Sequence, residues 1–312
     1  VLKYLIISLI LLQSLLGEAQ ELFPATGSAS NLPKGVLRVK LNNEFYTDVS
    51  QTRIWQGYSF SFGMSPKIEI SQVYNFSNHH DYLLPDDFIT HNNNSKSLIT
   101  QGYVNGRPYP FLFENLTLGI KYRFLSLNAN HEHFRMACYL NLAGGNEPHS
   151  VAESNLMGDN SGASPGLIAT YLKNRFAISL NAAAIFPHRY LQSDSNIILS
   201  YNNALTYSLS FGYLLLPHKY KTYKQTNVNI YAELIGESYG GMKSITNNGQ
   251  AVNWYNVPSL NKGSYLEMRP SVQFIFLSNT RLDLSIAYLL MGQSYERSYP
   301  LYFLTIQHDF WL

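Results

Sequence analysis

The chain has 312 residues, of which 46% are hydrophobic and only 13% charged, with 24 Tyr and 17 Phe; that is too little charge for an ordinary soluble domain, where about 25% is usual, and too polar a balance for a bundle of membrane helices. A formal net charge of +2 provides no basic field for nucleic acid, and the one cysteine, Cys138, excludes an intrachain disulfide and argues against a cysteine zinc site. A sheet with one greasy face and one polar face produces this composition directly.

Residues 1–19 read as a signal peptide. Lys3 opens it, Tyr4 to Leu12 form a short apolar run extended by Leu15 and Leu16, and Gly17-Glu18-Ala19 places cleavage before Gln20. The run falls short of the roughly 20 residues a spanning helix needs. Residues 20–34, with Pro24 and Pro33, read as a periplasmic N-terminal lead or a partial lumen plug, and residues 35–312 as an outer-membrane β-barrel.

From Val36 onward period-two alternation dominates. Leu37, Val39, Leu41 and Phe45 alternate with Arg38, Lys40, Asn42 and Glu44. Tyr58, Phe60, Phe62 and Met64 oppose Gly57, Ser59 and Ser61; Ile68, Ile70, Tyr74 and Phe76 oppose Lys67, Glu69, Ser71 and Asn75. Leu116 to Phe124 sets apolar even positions against Thr117, Gly119, Lys121 and Arg123, and Phe134 to Leu142 does so against Arg135, Tyr139 and Asn141. Residues 167–172 alternate poorly, and Phe176 to Phe186 somewhat better. Leu199 to Leu215 reads as one long strand, followed by a weaker one around Val228, Ile230 and Leu234 that carries Glu233. Leu266 to Phe276 opposes Glu267, Arg269, Ser271 and Gln273; Leu282 to Leu290 opposes Arg281, Asp283 and Ser285; Tyr302 to Phe310 opposes Thr305, Gln307 and Asp309.

The tally is about twelve strands, an even number as bacterial barrels require. Short connections near Ser65-Pro66, Asn128 to His131, Lys173-Asn174, Pro217 to Lys224 and Ser278-Asn279 alternate with long ones at 78–114, 144–164, 187–196 and 238–263. A soluble sandwich has no reason to sort its loops this way. The fold expected is all-β: a transmembrane antiparallel up-and-down barrel with short periplasmic turns and long extracellular loops. Apolar faces then meet lipid, with aromatics such as Tyr74, Tyr122, Tyr288 and Tyr302 at interface level. The lumen receives Arg38, Lys40, Glu44, Glu69, Lys121, Arg123, Arg135, Glu233, Glu267, Arg269, Arg281, Asp283 and Asp309. First and last strands meet on closure, so Arg38 or Lys40 is expected near Asp309.

Other chemistry is sparse. His79-His80-Asp81 with Asp86, Asp87 and His91 carries metal-ligand side chains, but it lies where a strand enters an Asn-rich loop, and the loop reading is preferred. His131-Glu132-His133 sits at a turn. Phospholipase barrels set catalytic His and Ser two apart on a strand, and none of the nine histidines here has Ser at that offset; no phosphate loop or nucleophile elbow occurs either. No catalytic residue, metal or cofactor is assigned.

The segment Gln20-Glu21-Leu22-Phe23 through Ala29-Ser30-Asn31-Leu32-Pro33, then Val36 to Phe45, resembles the start of Bacteroidota-type outer-membrane barrel proteins, which are loosely grouped with outer-membrane transporters. The terminal Phe310-Trp311 is similar to the aromatic assembly signal of such barrels, with the departure that Leu312 follows. The resemblance implies a bacterial outer-membrane location, with the lipid bilayer and the barrel-assembly machinery as partners and no nucleic acid. The functional expectation is a passive channel or transporter for small polar or amphipathic solutes; the alternative is a non-conducting structural or surface-interaction barrel with a salt-bridged lumen.

Overall fold

The computed structural model describes residues 23–48, 51–78, 110–145, 151–156, 160–192, 196–219, 222 and 224–312. The first half of the wall is β1 (Val36–Asp48), β2 (Gln51–Ser65), β3 (Ile68–Ser77), β4 (Leu112–Ala129), β5 (Glu132–Gly144), β6 (Gly162–Lys173) and β7 (Phe176–Pro187). The second half is β10 (Ala204–Leu216), β11 (Asn227–Tyr239), β14 (Gly263–Phe276), β15 (Thr280–Gly292) and β16 (Leu301–Trp311). Each wall strand pairs antiparallel with the next, and β16 returns to β1, so twelve strands close into one barrel. The expected strand number and up-and-down order are both borne out. Closure leaves no sheet edge, which a bilayer demands because lipid cannot hydrogen-bond a bare strand.

Four more strands, β8 (Tyr190–Gln192), β9 (Ile197–Tyr201), β12 (Met242–Asn247) and β13 (Gln250–Ala251), form a separate small sheet. It has its own core of Tyr190, Ile197, Leu199, Tyr201, Met242, Ile245, Val257 and Leu260. The single strand expected over 199–215 is therefore two. The chain breaks at Asn202-Asn203, where it passes from this small sheet into the wall. The alternation of 197–201 looks like that of the wall because both sheets bury one face, and period alone does not say against what.

Turns sort to one end, the turn end. His131 (φ 56°), Asn174 (φ 55°), Leu277 (φ 52°) and Ser278 (φ 63°) adopt left-handed conformations in them. Both ends of the wall, Val36 and Trp311, share that end as register partners. The other end carries the long connections, with one exception: β1 and β2 are separated by residues 49–50 alone.

The two faces of the wall differ as the alternation implies. Leu118 and Ile120 are 48% and 49% exposed on the outside, while Thr117 between β3 and β5 is 3% exposed on the inside. Leu140, Leu142, Leu167, Leu180, Leu205, Ile230, Leu284 and Ile306 continue the outer belt, joined by Tyr122, Phe124, Tyr213, Tyr288, Tyr302 and Phe310. Polar exceptions on this face are satisfied locally. Gln56 Nε2 donates to Asn43 Oδ1 (2.8 Å), Asn43 Nδ2 donates to Leu304 O (3.1 Å), and Gln72 Nε2 donates to Tyr74 Oη (3.1 Å), as unsolvated polar groups require.

Candidate functional site: the barrel lumen

The lumen is built in three layers. Nearest the turn end is the seam. Arg38 and Asp309 are register partners across β1 and β16. The Arg38 guanidinium forks onto the carboxylate, Nε to Oδ1 at 2.8 Å and Nη2 to Oδ2 at 2.9 Å, and Arg281 Nη2 adds a contact to Oδ2 at 3.1 Å. A bidentate fork tolerates little misplacement, so a slip of the closing strand pair would break it. Arg123 Nη2 donates to Pro66 O (2.7 Å), tying β4 to the neighbouring turn.

The middle layer holds the lead. Residues 23–34 lie inside the barrel, bonded to its inner wall. Phe23 meets the Tyr231 ring edge-on at 5.7 Å. Glu233, fully buried, accepts hydrogen bonds from Ala25 N (3.0 Å), Thr26 N (3.0 Å) and Thr26 Oγ1 (2.8 Å). Ala29 N donates to Thr170 Oγ1 (2.9 Å), and Arg135 Nη1 donates to Ser30 Oγ (2.7 Å). Lys121 Nζ donates to Ser30 O (2.8 Å) and stands 3.3 Å from Glu69, which also accepts from Leu32 N (2.8 Å). The lead leaves the lumen over Gly63. A Cβ there would stand 2.0 Å from Pro33 O, so only glycine lets the two backbones approach this closely.

The layer toward the long connections is filled by two segments that dip inward. In residues 151–156, Ser154 N donates to Glu237 Oε1 (3.0 Å), and Leu156 O accepts from Asn115 Nδ2 (2.9 Å) and Thr117 Oγ1 (3.2 Å). Ala152 and Leu156 pack with Ile185, Tyr239 and Tyr265 of the inner wall. In residues 293–300, Ser294 Oγ and Tyr295 N donate to Glu153 (both 2.9 Å). Glu296 accepts from Asn155 Nδ2 (2.7 Å), Arg297 pairs with Glu44 at 2.9 Å, and Tyr299 Oη donates to Glu267 (2.7 Å). Burial opposes the Arg297 charge, but Glu44 and then Glu296 outweigh it and hold the guanidinium well above its ordinary pKa. Burial, then the Glu267 charge, pushes the Tyr299 phenol upward too.

Arg269 differs from the other lumen arginines. It is 6% exposed and lies over the Phe303 ring at 3.4 Å from its centroid, a cation–π contact. Its buried Nε and Nη2 have no hydrogen-bond partner among the described residues. Its register partner across β11 and β14 is Glu233, whose carboxylate is occupied by the lead. Lys40 donates to Pro24 O at 3.3 Å, and Asp283 is buried nearby with Oδ1 unbonded among the described residues.

Of the residues assigned to the lumen from alternation, Glu44, Arg123, Arg135, Glu233, Glu267, Arg269, Arg281, Asp283 and Asp309 are buried, and Arg38, Lys40, Glu69 and Lys121 half-buried. Sequence reasoning missed Arg53, Glu114, Glu153, Glu237, Glu296 and Arg297. Arg53 and Glu237 continue the inward parity of β2 and β11 and were recoverable by extending those strands. Glu114 lies where the β3–β4 register shifts, and Glu153, Glu296 and Arg297 lie outside strands, so parity could not find them. The loop cluster from His79 to His91 and the pair His149-Ser150 fall outside the described residues. At the turn, Glu132 accepts from Tyr171 Oη (2.6 Å) and His133 Nδ1 bonds Asn128 Oδ1 (2.9 Å). Both groups of the turn are thereby engaged locally.

No protein-family model matches the chain, and no curated protein matches it in sequence. Solved structures do resemble it. An outer membrane channel from Pseudomonas putida F1 superposes with a TM-score of 0.57 at 14% identity, covering 93% of this chain and 100% of the other. The NanC porin (TM-score 0.47, 10% identity, 88% and 100% covered) and the KdgM porin (TM-score 0.46, 8% identity, 88% and 99% covered) lie further away. The fold likeness rests on the first. The chain is an outer-membrane β-barrel of the architecture seen in that channel. With its closed wall and apolar belt, it belongs in the bacterial outer membrane.

Proposed function

We propose that the protein is a passive channel for small polar or amphipathic solutes, not an enzyme, and that the described conformation is its closed state. The observation that carries this reading is how the lead is held. Its peptide N–H groups bond Glu233, Glu69 and Thr170, groups that water can satisfy equally when the lead moves away. A wall lined with both signs of charge would then remain as a hydrated path. Barrels of eight strands fill with side chains, while those of 16 to 18 leave a channel. Twelve lies between, and here main chain occupies the surplus space. The turn end is taken as periplasmic in this reading, and the resemblance to Bacteroidota-type transporters is consistent with it.

A second reading, a non-conducting barrel with a salt-bridged lumen, is favoured by the Arg38–Asp309–Arg281 and Arg297–Glu44 pairs. Planar-bilayer recording decides between the two. The channel reading expects brief openings from the full chain and sustained conductance once residues 23–33 are deleted. Silence from both proteins, each folded and monodisperse, would leave the structural reading standing.

A further inference from the structure

Between the lead and the wall formed by β1 to β4 and β14 to β16 lies a cavity of about 210 Å³. A water takes up roughly 30 Å³ and drug-sized ligands need about 300–1,000 Å³, so this space suits a molecule the size of an amino acid. Most charges around the lumen are committed: Arg38 to Asp309, Lys121 to Glu69. Three groups that line this cavity have hydrogen-bonding capacity left over. The Lys40 ammonium has three donors and the 3.3 Å bond to Pro24 O. Asp283, 3% exposed, has Oδ1 without a partner, and Asn31, 7% exposed, has neither amide atom bonded among the described residues. Gln273 and Gln307 complete a polar lining.

Lys40 and Asp283 are each the main opposite charge that the other feels, and Gln273 also bonds Asp283, yet no direct ion pair joins the two among the described residues, so both are desolvated without a close charged partner. A simple anion would bond Lys40 and be repelled by Asp283; a simple cation would meet the reverse. A molecule carrying both charges satisfies both, with the Asn31 amide free to bond either of its ends. We propose that this cavity is a binding site for a small zwitterion of the α-amino acid type, its carboxylate toward Lys40 and its ammonium toward Asp283. This deepens the channel reading by naming a solute class and rests on it.

Titration calorimetry on the full, detergent-folded chain tests the site without reference to conductance. L-serine is expected to bind saturably, while acetate and methylammonium, which offer one charge each, bind at least tenfold more weakly. Lys40→Met and Asp283→Asn, checked for folding by heat-modifiable gel migration, should each weaken L-serine at least tenfold. Absence of L-serine binding, equal affinity for the three probes, or unchanged L-serine affinity in either folded variant would overturn the site. Where a variant does not fold, the ranking of the three probes on the wild type decides alone. Binding with a silent bilayer record would discard the channel and keep the site; conductance without binding would do the opposite.

Discussion

The two filled parts of the lumen are held by different chemistry. The lead, residues 23–34, presents mainly its own backbone to the wall, and its peptide groups bond single side chains such as Glu233 and Thr170. Among the described residues it joins the wall at β1. Segments 151–156 and 293–300 each connect two wall strands, and they are also cross-linked to one another through Glu153 and Asn155. Peptide groups can exchange the wall for water, which then solvates the freed carboxylates as well, although each bond to a charged group such as Glu233 holds with about 1.5–3 kcal/mol net. A buried ion pair such as Arg297–Glu44 resists separation, since parting strands two charges. In the channel reading the lead is the part that moves and the loop layer the part that stays.

The harshest way to break this comparison is to remove the wall that frames both layers. Arginine at a lipid-facing midplane position costs roughly 2–4 kcal/mol, so Ile120→Arg should largely abolish folding into lipid vesicles. Ser59→Arg, on the lumen side of β2, should fold nearly as well as wild type. Equal failure of the two, read as the folded fraction on gels, would mean that inside and outside are wrongly assigned.

Next in size is Glu233→Ala. It removes the acceptor of three hydrogen bonds from the lead, and bonds to charged groups are worth about 1.5–3 kcal/mol each. Loss of even one such increment raises open probability about tenfold or more, which single-channel recording would read directly. A closed-state lifetime equal to wild type would show that the lead is not the gate. Gly63→Ala should act in the same direction and less strongly, because its methyl group collides with Pro33 O and lifts the lead at its exit. Arg297→Met should have the smallest effect on gating, since segment 293–300 keeps its bonds to Glu153 and Asn155. Its signature is instead a lower midpoint of unfolding in denaturant, from Glu44 left buried without its cation. A larger gain in conductance from Arg297→Met than from Glu233→Ala would reverse the roles assigned to the two layers.

Much of the wall was legible in the sequence because β geometry is local. Side chains alternate between faces whatever the strand pairs with, so Leu118, Ile120 and Leu284 could be put outside and Arg135, Glu233 and Asp283 inside with no knowledge of neighbours. The even count and the shared position of first and last strands then placed Arg38 or Lys40 near Asp309, and closure pairs Arg38 with it. Where alternation failed as a guide, the cause was local too: the shifted register at Glu114 and the second buried sheet at 197–201, whose pattern mimics the wall.

Which lumen groups meet was decided by the tertiary structure alone. Thr26 and Glu233 are separated by 207 positions, and nothing periodic connects them. Their contact depends on a barrel wide enough to admit a strand of main chain and on the glycine that lets that chain pass. The same holds for Arg269, read from sequence as one lumen arginine among several. Only the filled lumen, with the lead bonded to Glu233, leaves that guanidinium on Phe303 and leaves Lys40 and Asp283 facing the same cavity. Alternation assigns a residue to a face of a sheet. Its partner there is chosen by closure and by what occupies the interior, both of which arise from contacts far apart in the chain.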